Sequence, residues 1–315
     1  MTGTITRDGT MPSTFTAPTA GVVMRGRNAR STNTVQGWAA VALGVPFVGI
    51  GLAIVALIAG TFGAAAGGRL AAPAAVMATL SATFTLVGLA FVGSGVRAIV
   101  RRAGAPTLRA RFPGQPWMWD FPWDRRGGRD ESVGEIGRAL VVAAMIELFL
   151  VPFHWVGFQS AERLRMFQLI TLIFDAVVAA IVGYALYLTA RRVRYGRSRI
   201  RFAGFPCAPG EEATLDLAGI SPLARRYPLV ATLRCIEERY EMHGNGRHRR
   251  AVTVCYELGR DVRTVAPGET TVRFPIPADA PTTTLGARPP RYWELELAAE
   301  VPGVDFGARF LVPVY

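Results

Sequence analysis

The sequence predicts a membrane-anchored protein in two parts: four transmembrane helices and, after them, a C-terminal all-β antiparallel sandwich. Half of the 315 residues are hydrophobic and only 18% are charged, a low fraction for a soluble protein. Four long apolar runs lie between residues 37 and 190. After residue 198 the runs give way to an alternation of apolar and polar side chains, which is typical of half-buried strands.

Each apolar run is long enough to cross a bilayer as a helix, which needs about 20 residues. The first run, GWAAVALGVPFVGIGLAIVALIAG, contains no charged residue. Helices are expected because unpaired backbone groups cannot face hydrocarbon. The spans fall at about 37–60, 72–98, 139–158 and 167–190, within a transmembrane domain of residues 37–190. The tail before them, residues 1–36, is rich in Thr, Ser and Gly, and we expect it to be disordered.

The placement of arginine predicts the orientation of these spans. The chain contains no Lys, so Arg alone supplies the positive charge behind its net +12. Nineteen Arg residues lie in the tail, in the loop 97–138 and in the stretch 191–201, against three in the two short connections on the other side. Positive residues stay in the cytoplasm. We therefore expect a multi-pass protein of a bacterial inner membrane with both termini cytoplasmic, and anionic lipid headgroups rather than nucleic acid as the partner of this charge.

A tryptophan-rich stretch, QPWMWDFPWDRRGGRDE, lies inside the cytoplasmic loop 97–138. Trp favours the headgroup level of a bilayer, and neighbouring Arg residues can meet lipid phosphates. The sequence therefore predicts an irregular segment on the membrane surface. The alternatives are a docking surface for the C-terminal domain and an aromatic ligand cage. The membrane-interface residues of this prediction are Trp117, Trp119, Trp123, Arg125, Arg126 and Arg129.

Three ionisable residues interrupt the last two apolar runs: Glu147 and His154 in the third and Asp175 in the fourth. Counted from the connection between these spans, the two acids lie at similar depth, and His154 shares a helical face with Glu147. Intramembrane ionisable groups are costly and mark either function or helix pairing. We expect a polar clamp between the two spans; the alternatives are a proton relay or small-cation site, and residues facing lipid near a boundary. Two carboxylates and one His are too few to predict a metal site.

The residues from 198 to 315 form the predicted β-sandwich. TTVRFPIP, RYWELELAAEV and DFGARFLVPVY each place every second, apolar side chain on one face. Asn245-Gly246 is a hairpin signal between two further strand-like segments. Seven or eight strands in this length are typical of a sandwich.

VRFPIPADAPTT, followed by RYWELELAAEVPGVDFGARFLVPV, resembles the closing strands of arrestin-like β-sandwiches. The whole chain is similar to an uncharacterised group of bacterial multi-pass membrane proteins that carry such a domain at the C-terminus. The match covers residues 271–314, and the chain has one sandwich where arrestins have two. The resemblance implies a domain that binds proteins through strand edges or loops and has no catalytic residues.

The sequence contains no phosphate-binding G-x-x-x-x-G-K-[ST] loop, no H-E-x-x-H, no C-x-x-C and no G-x-S-x-G. We therefore expect no enzyme activity and no cofactor. The predicted function is that of a non-enzymatic anchor or scaffold whose cytoplasmic sandwich binds a protein partner that the sequence does not identify. The alternative is a small transporter or proton-coupled membrane component that uses Glu147, Asp175 and His154.

Overall fold

The computed structural model describes residues 21–24, 27, 29–31, 37–60, 74–159, 165–244 and 250–315. The chain divides into two compact units. One unit is helical and comprises residues 33–113 and 132–193. The other is a β unit, built from three separate parts of the chain: residues 1–32, 114–131 and 194–315.

Within its described residues, the helical unit contains four helices that are long and apolar enough to cross a membrane. They are α1 (Trp38–Ile58), α2 (Ala74–Arg111), α3 (Ser132–Gln159) and α4 (Arg165–Tyr195). The last three extend beyond the predicted spans, because helical hydrogen bonding continues into polar residues that a hydropathy pattern leaves out. Large apolar side chains on all four helices are exposed, for example Val141 at 63% and Leu172 at 64%, as expected of surfaces that face lipid.

Helices α1 and α2 pack closely through glycines. An added Cβ at Gly44 would lie 2.6 Å from the carbonyl oxygen of Gly88, and one at Gly95 would lie 2.7 Å from that of Gly37. Small residues allow two helix backbones to approach in this way. The Ser81 hydroxyl adds a hydrogen bond of 2.8 Å to the carbonyl oxygen of Gly51.

The β unit contains two antiparallel sheets. The five-stranded sheet has the order β1 (Val22–Val23), β6 (Arg250–Val265), β5 (Leu229–His243), β8 (Arg291–Ala299) and β9 (Phe306–Val312). The four-stranded sheet has the order β2 (Gly127–Arg129), β3 (Arg199–Phe202), β4 (Glu212–Ala218) and β7 (Thr271–Pro275). Strands β5 and β6 pair on either side of the predicted Asn245-Gly246 turn, which itself lies outside the described residues.

The core of the β unit lies between the two sheets and confirms the predicted alternation. Phe274 of β7, Trp293 of β8 and Phe310 of β9 are each fully buried. Their apolar neighbours at every second position join the same hydrophobic cluster. Because side chains of a strand alternate between faces, the intervening residues of β8 and β9 point to the opposite, outer face of the five-stranded sheet.

Two segments from outside residues 198–315 complete this unit. Part of the tail expected to be disordered instead forms β1, and the described residues after it contact the five-stranded sheet. Residues 127–129, from the predicted interfacial loop, form β2 at the edge of the other sheet. The physical reason is that this sandwich leaves apolar and acidic surface that these segments cover. Residues 1–20 and 32–36 of the tail lie outside the described residues.

Candidate functional site

The outer face of the five-stranded sheet carries an unusual set of buried polar groups. Glu238 on β5 is fully buried, and Glu294 on β8 is 1% exposed. Isolated carboxylates almost never occur at such burial unless they are paired. What covers and pairs them is a segment early in the chain, of which residues 21–24, 27 and 29–31 are described; we call these residues the N-terminal strap. We call the covered surface around Glu238, Tyr292 and Glu294 the sheet-face site.

The strap enters the sheet by strand addition. Val22 pairs with Glu257, and Val23 pairs with Tyr256, so that β1 extends the sheet beyond β6. The backbone N–H of Met24 then donates to the carbonyl oxygen of Cys255 at 2.9 Å. The contact thus begins with main-chain hydrogen bonds, which depend little on sequence.

Arg27 of the strap supplies the charge that Glu294 needs. The Arg27 Nη2 and Glu294 Oε2 atoms form an ion pair, with only 14% and 1% of the two side chains exposed. Burial by itself would lower the pKa of Arg27, but the Glu294 carboxylate outweighs burial and holds the pKa above its ordinary value. The other oxygen, Glu294 Oε1, makes no hydrogen bond with any described residue. The site therefore retains acceptor capacity deep under the strap.

The side chain of Glu238 binds the main chain at the end of the strap. Its carboxylate accepts hydrogen bonds from the backbone N–H groups of Arg30 and Ser31 and from the Ser31 hydroxyl. Tyr292 donates its hydroxyl to Glu238 Oε1 at 3.3 Å, and burial raises the pKa of Tyr292 well above its ordinary value. The Arg30 guanidinium lies 5.0 Å from the centre of the Tyr292 ring, a cation–π contact.

A small apolar cluster, formed by strap residues and by the sheet under them, excludes water from these charges. It comprises buried Ala29, Ile236, Cys255, Tyr292 and Leu311, with Met24, Phe121, Trp123 and Leu285 packed against it. Burial raises the pKa of the Cys255 thiol to about 11, so this cysteine is unreactive while the strap is in place.

The tryptophan-rich segment, residues 114–131, also packs within the β unit. Trp123 donates its indole N–H to the Tyr315 hydroxyl at 2.9 Å, and that hydroxyl donates to Asp120 Oδ2 at 2.7 Å. Asp120 also accepts hydrogen bonds from the backbone N–H groups of Leu285 and Gly286 at 2.8 and 2.6 Å. These contacts favour the alternative in which this stretch docks on the C-terminal domain.

The other predicted interface residues are placed as follows. Trp117 packs edge-on against Tyr315, with ring centres 6.1 Å apart, and Trp119 is half-buried. The side chains of Arg125, Arg126 and Arg129 are exposed. The aromatic residues of the stretch are thus engaged within the β unit, while its three arginines are accessible. The predicted contact of these arginines with anionic headgroups stays a prediction.

In the helical unit, the three predicted ionisable residues converge. Glu147 and His154 on α3 and Asp175 on α4 each direct one ligand atom into a cluster in which all three atoms lie within 4.8 Å of one another. His154 Nε2 lies 3.2 Å from Asp175 Oδ1. The similar depth estimated from the sequence agrees with this proximity, and the role of the three residues stays a prediction.

Sequence reasoning missed the sheet-face site. Glu294 lies in the polar phase of the RYWELELAAEV alternation, and that phase predicts exposure. The signal that was available is charge complementarity. Arg234 pairs with Glu257 and Glu296 on the outer face of the sheet, which leaves Glu238 and Glu294, while Arg25, Arg27 and Arg30 are the charged residues at 25–36 of the tail.

No protein-family model matches the chain, and no curated protein matches it. Among solved structures, the chain is similar to Spo0M, a sporulation control protein from Bacillus subtilis, with 18% identity and a TM-score of 0.21. The similarity covers 36% of this chain and 47% of that one, so it spans about half the length of Spo0M. A TM-score this low carries no argument about the fold. The architecture rests on the strand pairing itself, and the arrestin-like resemblance stays a prediction.

Proposed function

We propose that this chain is a non-enzymatic, membrane-anchored interaction protein that binds a basic, extended segment of a protein partner on the outer face of its five-stranded sheet. The observation that carries the proposal is the sheet-face site, where Arg27 and Glu294 are buried together beneath an added strand. In this proposal the strap is an intramolecular ligand of the sheet-face site, and a partner segment with similar chemistry displaces it.

The anchor is the four-helix unit. The β unit draws its segments from before α1, between α2 and α3, and after α4. An even number of helices separates these segments, so four spanning helices would leave all three on the same side of a membrane. The connectivity of the β unit is thus compatible with four spans. We place that side in the cytoplasm of a bacterial inner membrane, because the Arg-rich connections lie there.

Recognition would use two physical terms. Main-chain hydrogen bonds to the edge of β6 provide affinity for any extended segment. The buried carboxylates provide selectivity, because an occupant without a cation opposite Glu294 would leave a charge buried and unpaired. The arrestin-like assignment belongs to this proposal, since such a domain would bind proteins through strand edges or loops. The exposed Arg residues of segment 114–131 would add contact with anionic headgroups.

A peptide-binding experiment tests the proposal. A fluorescent peptide of residues 20–32 is titrated into the protein in lipid nanodiscs, either complete or lacking residues 1–31. We expect saturable binding to the shortened protein and much weaker binding to the complete chain, whose own strap competes. Glu294→Gln in the shortened protein should abolish the binding. Glu212→Gln, at a carboxylate of the other sheet that is 53% exposed, is the matched control and should leave it unchanged. A folded shortened protein that does not bind the peptide would contradict the proposal.

The convergence of Glu147, His154 and Asp175 favours a second candidate function, a small transporter or proton-coupled component. Liposomes that contain the protein and a pH-sensitive dye test it under an imposed potential. If this candidate is right, the native protein conducts protons, and Glu147→Gln and Asp175→Asn abolish the flux while Glu212→Gln does not. Flux no greater than that of empty liposomes would exclude proton conduction.

A further inference from the structure

The cluster on α3 and α4 has a ligand chemistry that neither a helix clamp nor a proton relay requires. It contains one imidazole and two carboxylates, whose ligand atoms all lie within 4.8 Å of one another. We infer that Glu147, His154 and Asp175 bind one divalent transition-metal cation of the Zn²⁺ class. The inference is independent of the sheet-face site and of peptide binding.

The spacing of the ligand atoms fits such an ion. Zinc binds nitrogen and oxygen ligands at about 2.0–2.2 Å, so two ligands of a tetrahedral site lie about 3.4 Å apart. His154 Nε2 and Asp175 Oδ1 are separated by 3.2 Å and already have this spacing. All three ligand atoms lie within 4.8 Å of one another, so Glu147 reaches the same spacing after a side-chain shift of at most about 1.4 Å.

The two helices hold the ligands in register. Glu147 and His154 are seven residues apart, which is two turns of α3, and so they share one face of the helix. Asp175 approaches from α4 and contacts His154. Gln168 of α4 donates its side-chain amide to the carbonyl oxygen of Gly157 at 2.7 Å and so fixes the level at which the helices meet. A bound cation would add a second link between α3 and α4 beyond this hydrogen bond.

The charge of the cluster also favours a divalent cation. The cluster contains two carboxyl groups, and the apolar runs 139–158 and 167–190 contain no Arg that could serve as their counter-charge. Ionisable groups at membrane depth pair with one another or with an ion. One divalent cation neutralises both carboxylates in a single step.

The ligand set also selects the class of metal. Calcium and magnesium prefer oxygen ligands alone, and copper(I) prefers thiolate or thioether sulfur. A mixed imidazole and carboxylate set suits zinc, manganese and iron(II). Three protein ligands leave a fourth position open for water or an anion, as in zinc sites that do more than hold a fold together.

The full-length protein in nanodiscs, stripped with a chelator and titrated with Zn²⁺, tests the inference. We expect one equivalent of zinc per chain by elemental analysis, and Asp175→Asn and His154→Ala should each weaken binding at least about tenfold. His243→Ala, at a histidine of β5 in the other unit, is the matched control and should not change it. Thermal unfolding of each variant checks that it is folded.

Cobalt(II) absorption identifies the ligands, since nitrogen and oxygen ligation lacks the charge-transfer band that the three cysteine thiols would produce. Binding that survives the triple substitution Glu147→Gln, His154→Ala and Asp175→Asn would overturn the inference. So would a native protein that retains no zinc.

Discussion

Replacing Arg27 with Ala is the perturbation with the most direct consequences for the sheet-face site. If the strap stayed in place, Glu294, which is 1% exposed, would be buried without its counter-charge. Removing one partner of a buried ion pair costs about 3–5 kcal/mol. If the strap detached, water would reach Glu294, and the free energy of unfolding would fall by the amount that strap docking contributes to it. The second route is open because β1 joins the sheet through two residues, Val22 and Val23, so we expect the strap to leave.

The cost of the unpaired carboxylate sets the upper limit of this loss, because the strap detaches when its docking free energy is smaller than that cost. A loss of 3 kcal/mol corresponds to more than about 100-fold in the docking equilibrium. It also lowers the melting temperature of a domain of this size by roughly 6–12 °C. Arg273→Ala removes an exposed contact of 3.8 Å with Glu212 and is the matched control, worth about 0–1 kcal/mol.

Cys255 is the reporter for this experiment, because it is 2% exposed beneath the strap. We expect Arg27→Ala to raise the rate of maleimide labelling at Cys255 by up to about 100-fold, as detachment becomes the accessible opening. Mass spectrometry of the digested protein distinguishes Cys255 from Cys207 and Cys235, which lie in the core between the sheets. Adding Glu294→Gln to Arg27→Ala should restore part of the lost stability. Unchanged labelling and an unchanged melting temperature in Arg27→Ala would refute the reasoning.

Three further predictions concern other parts of the molecule. Gly88→Ala places a Cβ 2.6 Å from the Val48 side chain and should lower the free energy of unfolding by about 1–3 kcal/mol. Gly93→Ala, whose Cβ meets nothing within 4 Å, is the control and should be neutral. Equal effects of the two substitutions would contradict the packing of α1 on α2. Burial raises the pKa of the Cys235 thiol from 9.0 to about 12, because the folded protein favours the neutral form. The stability that the neutral thiol contributes is therefore complete below pH 9. It is lost as the pH rises toward 12, by up to about 1.4 kcal/mol per pH unit. Cys235→Ala should flatten denaturation midpoints measured from pH 8 to 11, and an unchanged slope would exclude this thiol as the cause. Asp120→Ala removes the acceptor of three hydrogen bonds and should lower the free energy of unfolding by at least about 2 kcal/mol. The tryptophan fluorescence should shift to the red. An unshifted spectrum would mean that other contacts hold segment 114–131.

The elements that the sequence predicted well are those in which one physical requirement repeats along the chain. Apolar runs of bilayer length identified all four helices, and the period of two in β8 placed Trp293, Leu295 and Leu297 in the core. Glu147, His154 and Asp175 were brought together by counting helical rise from a shared connection, which works because both helices start from the same level.

The elements that the sequence did not predict depend on contacts between distant residues. Strand β1 has two residues, too few for any periodicity, and it exists because β6 offers an edge. Glu294 appears solvent-facing in its own strand, and only a partner 267 positions away buries it. Trp123 has the composition of an interfacial residue, but its indole N–H finds the Tyr315 hydroxyl, a match that local sequence does not encode.

We propose that the β unit, assembled from three parts of the chain, lies on the cytoplasmic side of a membrane that the four helices cross. The most direct test fuses a pair of reporters, one fluorescent only in the cytoplasm and one enzymatically active only outside it, after Ala59, after Asp130 and after Tyr315. The account predicts cytoplasmic fluorescence for the fusions after Asp130 and Tyr315 and external activity for the fusion after Ala59. External activity after Tyr315, or the same side for Ala59 and Tyr315, would contradict it.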